Sequence, residues 1–195
     1  MADEPAREYI LYACPTGRLA QQIEAFLADS AAACGANSAH RYMPHCTLTG
    51  FFHDPGPAAP YCDACRAALG EHPLPAGPIA RIDSFRFDQG FHRLVVDAPW
   101  LEDLSAAFAA QAAVPSRVDA IRVKSDLHIS LAYGFEASSH RALMQLALEH
   151  IDLQAPVDWE LRLYERHDAG LPQYQPDAWT CHVEQVLQAT RQTSC

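Results

Sequence analysis

A single lysine, Lys124, stands among the fourteen basic residues of this 195-residue chain, against twenty-four acids, and the net charge is −10. Proteins that wrap long nucleic acid draw much of their affinity from phosphate neutralisation and carry a basic footprint. This chain carries none, which leaves room for a small anion held by a few local donors. Long apolar runs are also missing: none approaches the ~20 residues a membrane helix needs. The opening MADEPAREYI has acids where a signal peptide has bases and then an apolar segment. A cytoplasmic protein without membrane attachment is expected.

Ordered cysteine spacing is lacking too. Seven cysteines, odd in number and irregular in position, fit reduced thiols better than a disulfide framework. Cys62-x-x-Cys65 has no second pair, and no histidine pair, at ligand spacing, so two half-buried helix cysteines are the better reading. No metal and no cofactor is expected.

What is present reads as one globular α+β domain over 1–195, with 49% hydrophobic and 19% charged residues. Apolar spacing and turn signals predict strands over 9–13, 45–52, 79–87, 91–96 and 127–133, with Asp88-Gln89-Gly90 closing a hairpin. Helical spacing predicts helices over 18–33, 57–69, 100–113 and 141–151. Two further strands run through Trp159, Leu161, Leu163 and through Trp179, Cys181, Val183.

One pattern occurs twice. Pro44-His45-Cys46-Thr47-Leu48 is echoed by Leu127-His128-Ile129-Ser130-Leu131, 83 residues later. Shifting the first-half elements by that offset lands three of the four on an element of the same type, which points to an internal duplication. On a strand, residues i and i+2 share a face, so His45 projects with Thr47 and His128 with Ser130, while Cys46 and Ile129 turn to the core. A twofold relating the units would set two imidazoles on opposite sides of a cleft with two hydroxyls between them. That arrangement suits in-line displacement at a phosphodiester: one imidazole deprotonates the attacking water and the other protonates the leaving oxygen. The hydroxyls position and stabilise the phosphate.

PHCTLTGFF and LHISLAYGF resemble the paired His-x-Thr/Ser signatures of the 2H phosphoesterase superfamily, over essentially the whole chain. They look closest to the phosphoesterase module of the ubiquitin-associated and SH3-domain suppressors of T-cell receptor signalling, although the chain has no room for the UBA, SH3 or phosphatase-like parts. The resemblance implies a bilobal duplicated fold, two antiparallel sheets flanking a central cleft with helices outside. It also implies catalytic His45 and His128 and phosphate-binding Thr47 and Ser130. Tyr133 completes a His-x-Ser-x-x-Tyr run similar to that of plant-type cyclic phosphodiesterases, yet ideal strand parity sends it to the face opposite His128. Phe51 shares parity with His45 and is a candidate base-stacking residue.

The implied activity is metal-independent hydrolysis of 2′,3′-cyclic nucleotides to a monophosphate. Alternatives are cleavage of 2′,5′-linked oligoadenylates or RNA ends, and a nucleotide-binding module without turnover. The implied partners are a small nucleotide or a short RNA or oligoadenylate, with a monomer as the expected state. Which histidine is acid and which base stays open. The other eight histidines show no comparable pattern. His40 and Arg41 fit either cleft lining or loop capping, Phe52 and Phe135 fit core, and Arg122 and Lys124 read by default as solvated charges.

Overall fold

In the computed structural model, which describes residues 7–166 and 179–187, the chain is α+β. The described strands and α-helices are β1 (Arg7–Thr16), α1 (Gly17–Cys34), β2 (Cys46–Thr47), β3 (Phe52–Asp54), α2 (Ala59–Glu71), β4 (Arg81–Asp88), β5 (Phe91–Asp97), α3 (Pro99–Gln111), β6 (His128–Tyr133), α4 (His140–His150), β7 (Asp158–Arg166) and β8 (Trp179–Leu187), with short 3-10 turns at Ser38–Arg41 and Ala137–Ser139.

The strands join in the order β4-β5-β6-β2-β1-β7-β8, with β3 paired to β1, and all pairings are antiparallel. The apolar run of β1 is buried on both faces, which places it centrally, between β2 and β7. Two sheets were expected; one continuous sheet is found. The motif strands β2 and β6 each pair on one side with a neighbour, β1 or β5, and meet each other through Cys46 and Ile129. Their union closes two edges that would otherwise leave backbone groups unpaired. Outward from this seam, the order β6-β5-β4 on one side matches β2-β1-β7 on the other under the 83-residue offset. The helix pairs follow suit, α1 packing on α4 and α2 on α3.

One core fills the space between helices and sheet. Leu19, Ile23 and Phe26 fall at helical spacing on α1 and meet Tyr9, Leu11 and Ala13 of β1 together with Cys46, Leu48, Ile129 and Leu131. Cys62 and Cys65 turn inward from α2 into the same core, where burial pushes the Cys65 thiol up to about 12. The opposite face of β1 carries a smaller cluster, Ile10, Tyr12 and Cys14, with Met43, Phe51, Tyr164 and Trp179 against it. No described helix is long and apolar enough to cross a membrane.

Two departures from the predicted elements stand out, the first of them at the cleft. The strand anticipated over 45–52 breaks after Thr47, because Leu48 and Thr49 both donate their N–H to the Leu11 carbonyl, at 3.0 and 3.3 Å. Buried Thr49 Oγ1 then accepts the Leu11 N–H at 3.1 Å. Two residues facing one is a bulge, and the ladder resumes only at Phe52. The hairpin turn of β4 and β5 is tighter than the three residues anticipated: Asp88 pairs with Phe91, and Gly90 takes φ 81°.

Candidate active site

The antiparallel register Cys46 to Ile129, continued one residue either way, sets His45 beside Ser130 and Thr47 beside His128. Cys46 and Ile129 are fully buried behind them, so the four polar side chains share the sheet's other face. His45, Thr47 and Ser130 line a cavity of about 300 Å³. His128 does not line it; it stands across the seam, close enough for its charge to act on His45.

Each imidazole is held by the backbone two residues upstream. His45 Nδ1–H donates to the Met43 carbonyl at 2.8 Å, and His128 Nδ1–H donates to the Asp126 carbonyl at 2.7 Å. A carbonyl can only accept, so both rings carry the Nδ1 proton and leave Nε2 for chemistry. Their surroundings differ. His45 packs against Tyr12, with ring centroids 4.2 Å apart, and meets Tyr42 edge-on at 5.7 Å. Burial holds its pKa below the usual histidine value, the Met43 carbonyl opposes that shift, and the neighbouring His128 adds to it. His128 meets the ring of Phe91 edge-on at 5.4 Å.

Tyr133 also lines the cavity, against the expectation from ideal parity. The β5–β6 register jumps from Arg93–Ser130 to His92–Ala132, which makes Leu131 an extra residue and reverses parity beyond it. Leu131 and Ala132 are both buried, and Tyr133 returns to the face of Ser130. Phe51 lines the cavity as well, and it is already engaged: its ring lies 5.9 Å from Trp179, with the Arg166 guanidinium 5.9 Å over it.

Arg122 and Lys124, read from the sequence as solvated charges, are exposed as that reading has it, and they also stand on the cavity wall. Tyr12 and Tyr42 were not singled out in the sequence. The uninterrupted apolar run of β1, which implies burial on both faces, was the available signal for Tyr12; nothing local marks Tyr42. His40 caps rather than lines: its Nδ1 accepts from the Asn37 N–H at 2.9 Å and its Nε2 meets the Leu27 carbonyl at 2.9 Å. Phe52 is core, and Phe135 packs partly buried against it. Other histidines have structural partners, His53 with Asp119 and Glu8, His92 with His140, His150 with Asp29 and His182 with Glu165. His167 lies outside the described residues. Among the described residues, no three His, Cys, Asp or Glu side chains gather as a metal site.

No family model matches the chain. It is 34% identical over 172 residues to the ecdysteroid-phosphate phosphatase of Bombyx mori, covering 85% of this chain and 25% of that protein. It is 35% identical over 180 residues to the human ubiquitin-associated and SH3 domain-containing protein B, covering 84% of this chain and 26% of the relative. The ecdysteroid-phosphate phosphatase of Drosophila melanogaster is 33% identical over 201 residues, 82% of this chain and 26% of its own length. The chain thus spans about a quarter of the length of these relatives.

An α+β sheet whose two His-x-hydroxyl strands meet edge to edge beside one cleft is a 2H-type module. The chain belongs to the 2H phosphoesterase superfamily, with the kind of module carried by the ecdysteroid-phosphate phosphatases and the ubiquitin-associated and SH3 domain-containing proteins.

Proposed function

We propose that the chain is a phosphodiesterase that opens 2′,3′-cyclic nucleotides, or 2′,3′-cyclic phosphate ends, to the monophosphate without a metal. The observation carrying this reading is the matched pair of imidazoles. Both have the Nδ1–H tautomer fixed by an i−2 carbonyl, on adjacent strands, in unequal surroundings. A pair whose environments differ divides naturally into base and acid. His45, whose pKa burial lowers, is neutral near pH 7, and its Nε2 accepts the proton of the attacking water. The water oxygen bonds to phosphorus, the bond from phosphorus to one ribose oxygen breaks, and His128 delivers a proton from Nε2 to that oxygen. Thr47 and Ser130 donate hydrogen bonds to the non-bridging oxygens, and Tyr133 and Phe51 contact the substrate. Two units of strand, helix, motif strand, helix and strand, duplicated within one domain, account for the matched halves. A monomeric, cytoplasmic enzyme is part of the same reading.

Incubation with 2′,3′-cyclic AMP in EDTA is expected to yield adenosine monophosphate, and His45→Ala or His128→Ala to lower kcat by about 10²–10⁴-fold. A panel with 2′,5′-linked oligoadenylate and an ecdysteroid phosphate, the latter taken from the insect relatives' name, separates the alternatives. Tight nucleotide binding with no product over hours overturns the enzymatic reading in favour of a binding module.

A further inference from the structure

We propose that Arg122 and Lys124 form a second phosphate subsite on the cleft wall, so that the preferred substrate carries a further phosphate beside the one that reacts. This rests on the phosphodiesterase reading of the same cleft. In a chain of net charge −10 the lone lysine and an arginine stand on one small cavity. No Asp or Glu lines that cavity among the described residues. Neither cation enters an ion pair among the described residues; Arg18, Arg117 and Arg141 share that property but do not line the cavity, and Arg7, Arg66, Arg81, Arg86, Arg93, Arg162 and Arg166 each sit against a carboxylate. Both side chains are exposed, so water screens their mutual repulsion, and what they offer an anion in the cavity is two charge-assisted hydrogen-bond donors without a competing carboxylate.

The backbone fixes where those charges go. Gly50 N–H donates to the Arg122 carbonyl at 2.7 Å, Lys124 N–H donates to the Leu48 carbonyl at 2.9 Å, and Thr49 bridges to Val123. Residues 122–124 are therefore laid antiparallel against the stretch that follows Thr47, and alternation sends Arg122 and Lys124 to one side. The guanidinium comes down on Gly50, where a Cβ would lie 2.9 Å from Nη2 and 3.2 Å from Cζ. A glycine three residues beyond Thr47 thus keeps a cation on the wall of the cavity that Thr47 lines. That places it within reach of the next phosphate of a small nucleotide.

Two sources present this second phosphate: a terminal 5′-monoester, or the internal diester of a short oligonucleotide. Turnover of 2′,3′-cyclic AMP, its 5′-phosphorylated form and a dinucleotide ending in a 2′,3′-cyclic phosphate distinguishes them. The wild type is expected to favour one of the two bisphosphorylated substrates about tenfold in kcat/KM over 2′,3′-cyclic AMP, and that ratio to fall to about one in Arg122→Gln/Lys124→Gln, each protein being compared with its own 2′,3′-cyclic AMP turnover. Calorimetry supplies a readout independent of catalysis. Adenosine 2′,5′-bisphosphate is expected to bind about tenfold more tightly than 2′-AMP to the wild type and equally to the double variant, with the gap shrinking as salt is raised. Equal affinity in the wild type, or a preference that survives the double substitution, overturns the subsite. Absent turnover with the affinity gap intact overturns the phosphodiesterase reading and leaves the subsite standing.

Discussion

His45 and His128 hold the same tautomer by the same device: Nδ1–H of each donates to the carbonyl two residues before it, Met43 at 2.8 Å and Asp126 at 2.7 Å. The bond fixes the same tautomer in both rings, while the difference between them comes from their packing. Tyr12 and Tyr42 enclose His45, and a ring excluded from water resists protonation.

The pH profile tests that difference. Because burial lowers the His45 pKa from 6.5, this ring, proposed above as the base, stays unprotonated below the pH at which an ordinary histidine charges. The acidic limb of kcat/KM is therefore expected below pH 6.5. Tyr42→Ala opens one side of the ring to water and should move that limb upward. A limb that stays in place in the variant means that His45 is not the base.

Tyr133 owes its position to the bulge at Leu131. Tyr133→Phe retains the ring and deletes the hydroxyl, so kcat/KM is expected to fall about tenfold, in line with one lost hydrogen bond to a charged group. Urea unfolding of the same variant should agree with the wild type within about 0.5 kcal/mol. Unchanged kinetics would show that the hydroxyl does not touch the substrate.

His92 couples stability to pH away from the cleft. It is fully buried among Phe87, Phe135 and His140, with Nε2 3.0 Å from His140 Nδ1. Burial first, and then the adjacent His140, lower its pKa to about 4, with Asp88 opposing. Above pH 6.5 the ring is neutral in folded and unfolded chains alike, and stability is undiminished. Below 6.5 the unfolded chain takes up the proton first, so stability falls with pH until about 4. The loss amounts to roughly 3 kcal/mol. Denaturant titrations at steps from pH 7 to 4 should show this slope, flattened in His92→Gln.

Asp54 anchors the loop that leads toward Arg122. Fully buried, it accepts from the Tyr61 hydroxyl at 2.5 Å, the Gly56 N–H at 2.7 Å and the Ser116 hydroxyl at 3.1 Å. Burial works against the carboxylate, yet the three donors hold its pKa below the ordinary value. Asp54→Ala strands those donors and is expected to cost about 3 kcal/mol, against about 1 kcal/mol for Tyr61→Phe. Thermal unfolding of the two variants measures the gap; equal losses would mean that the carboxylate matters only through Tyr61.

Periodicity in the sequence was enough to locate the helices and most strands, because burial of one face imposes its spacing on the chain. The predicted helix over 18–33 lies within α1, and that over 141–151 matches α4 to within a residue at each end. Bulges left no such trace. At Leu48–Thr49 and at Leu131, side chains on both sides of the irregularity are buried, so polarity does not alternate there to reveal the change of face. Tyr42 was equally silent: its role depends on Tyr12 and His45, thirty and three residues away, which only folding brings around one ring.

By itself the sequence determined the α+β class, the two His-x-hydroxyl strands and the side chains they turn away from the core, since strand parity is a local property. Tertiary structure alone decided that the motif strands join into one sheet, because the open edge of each is completed by the other. It also decided that Tyr133 faces the cleft, through an extra residue in β6, and that the chain's only lysine lines the same cavity as Arg122 and His45. Those are facts of register and loop path, set by hydrogen bonds between residues far apart in the chain.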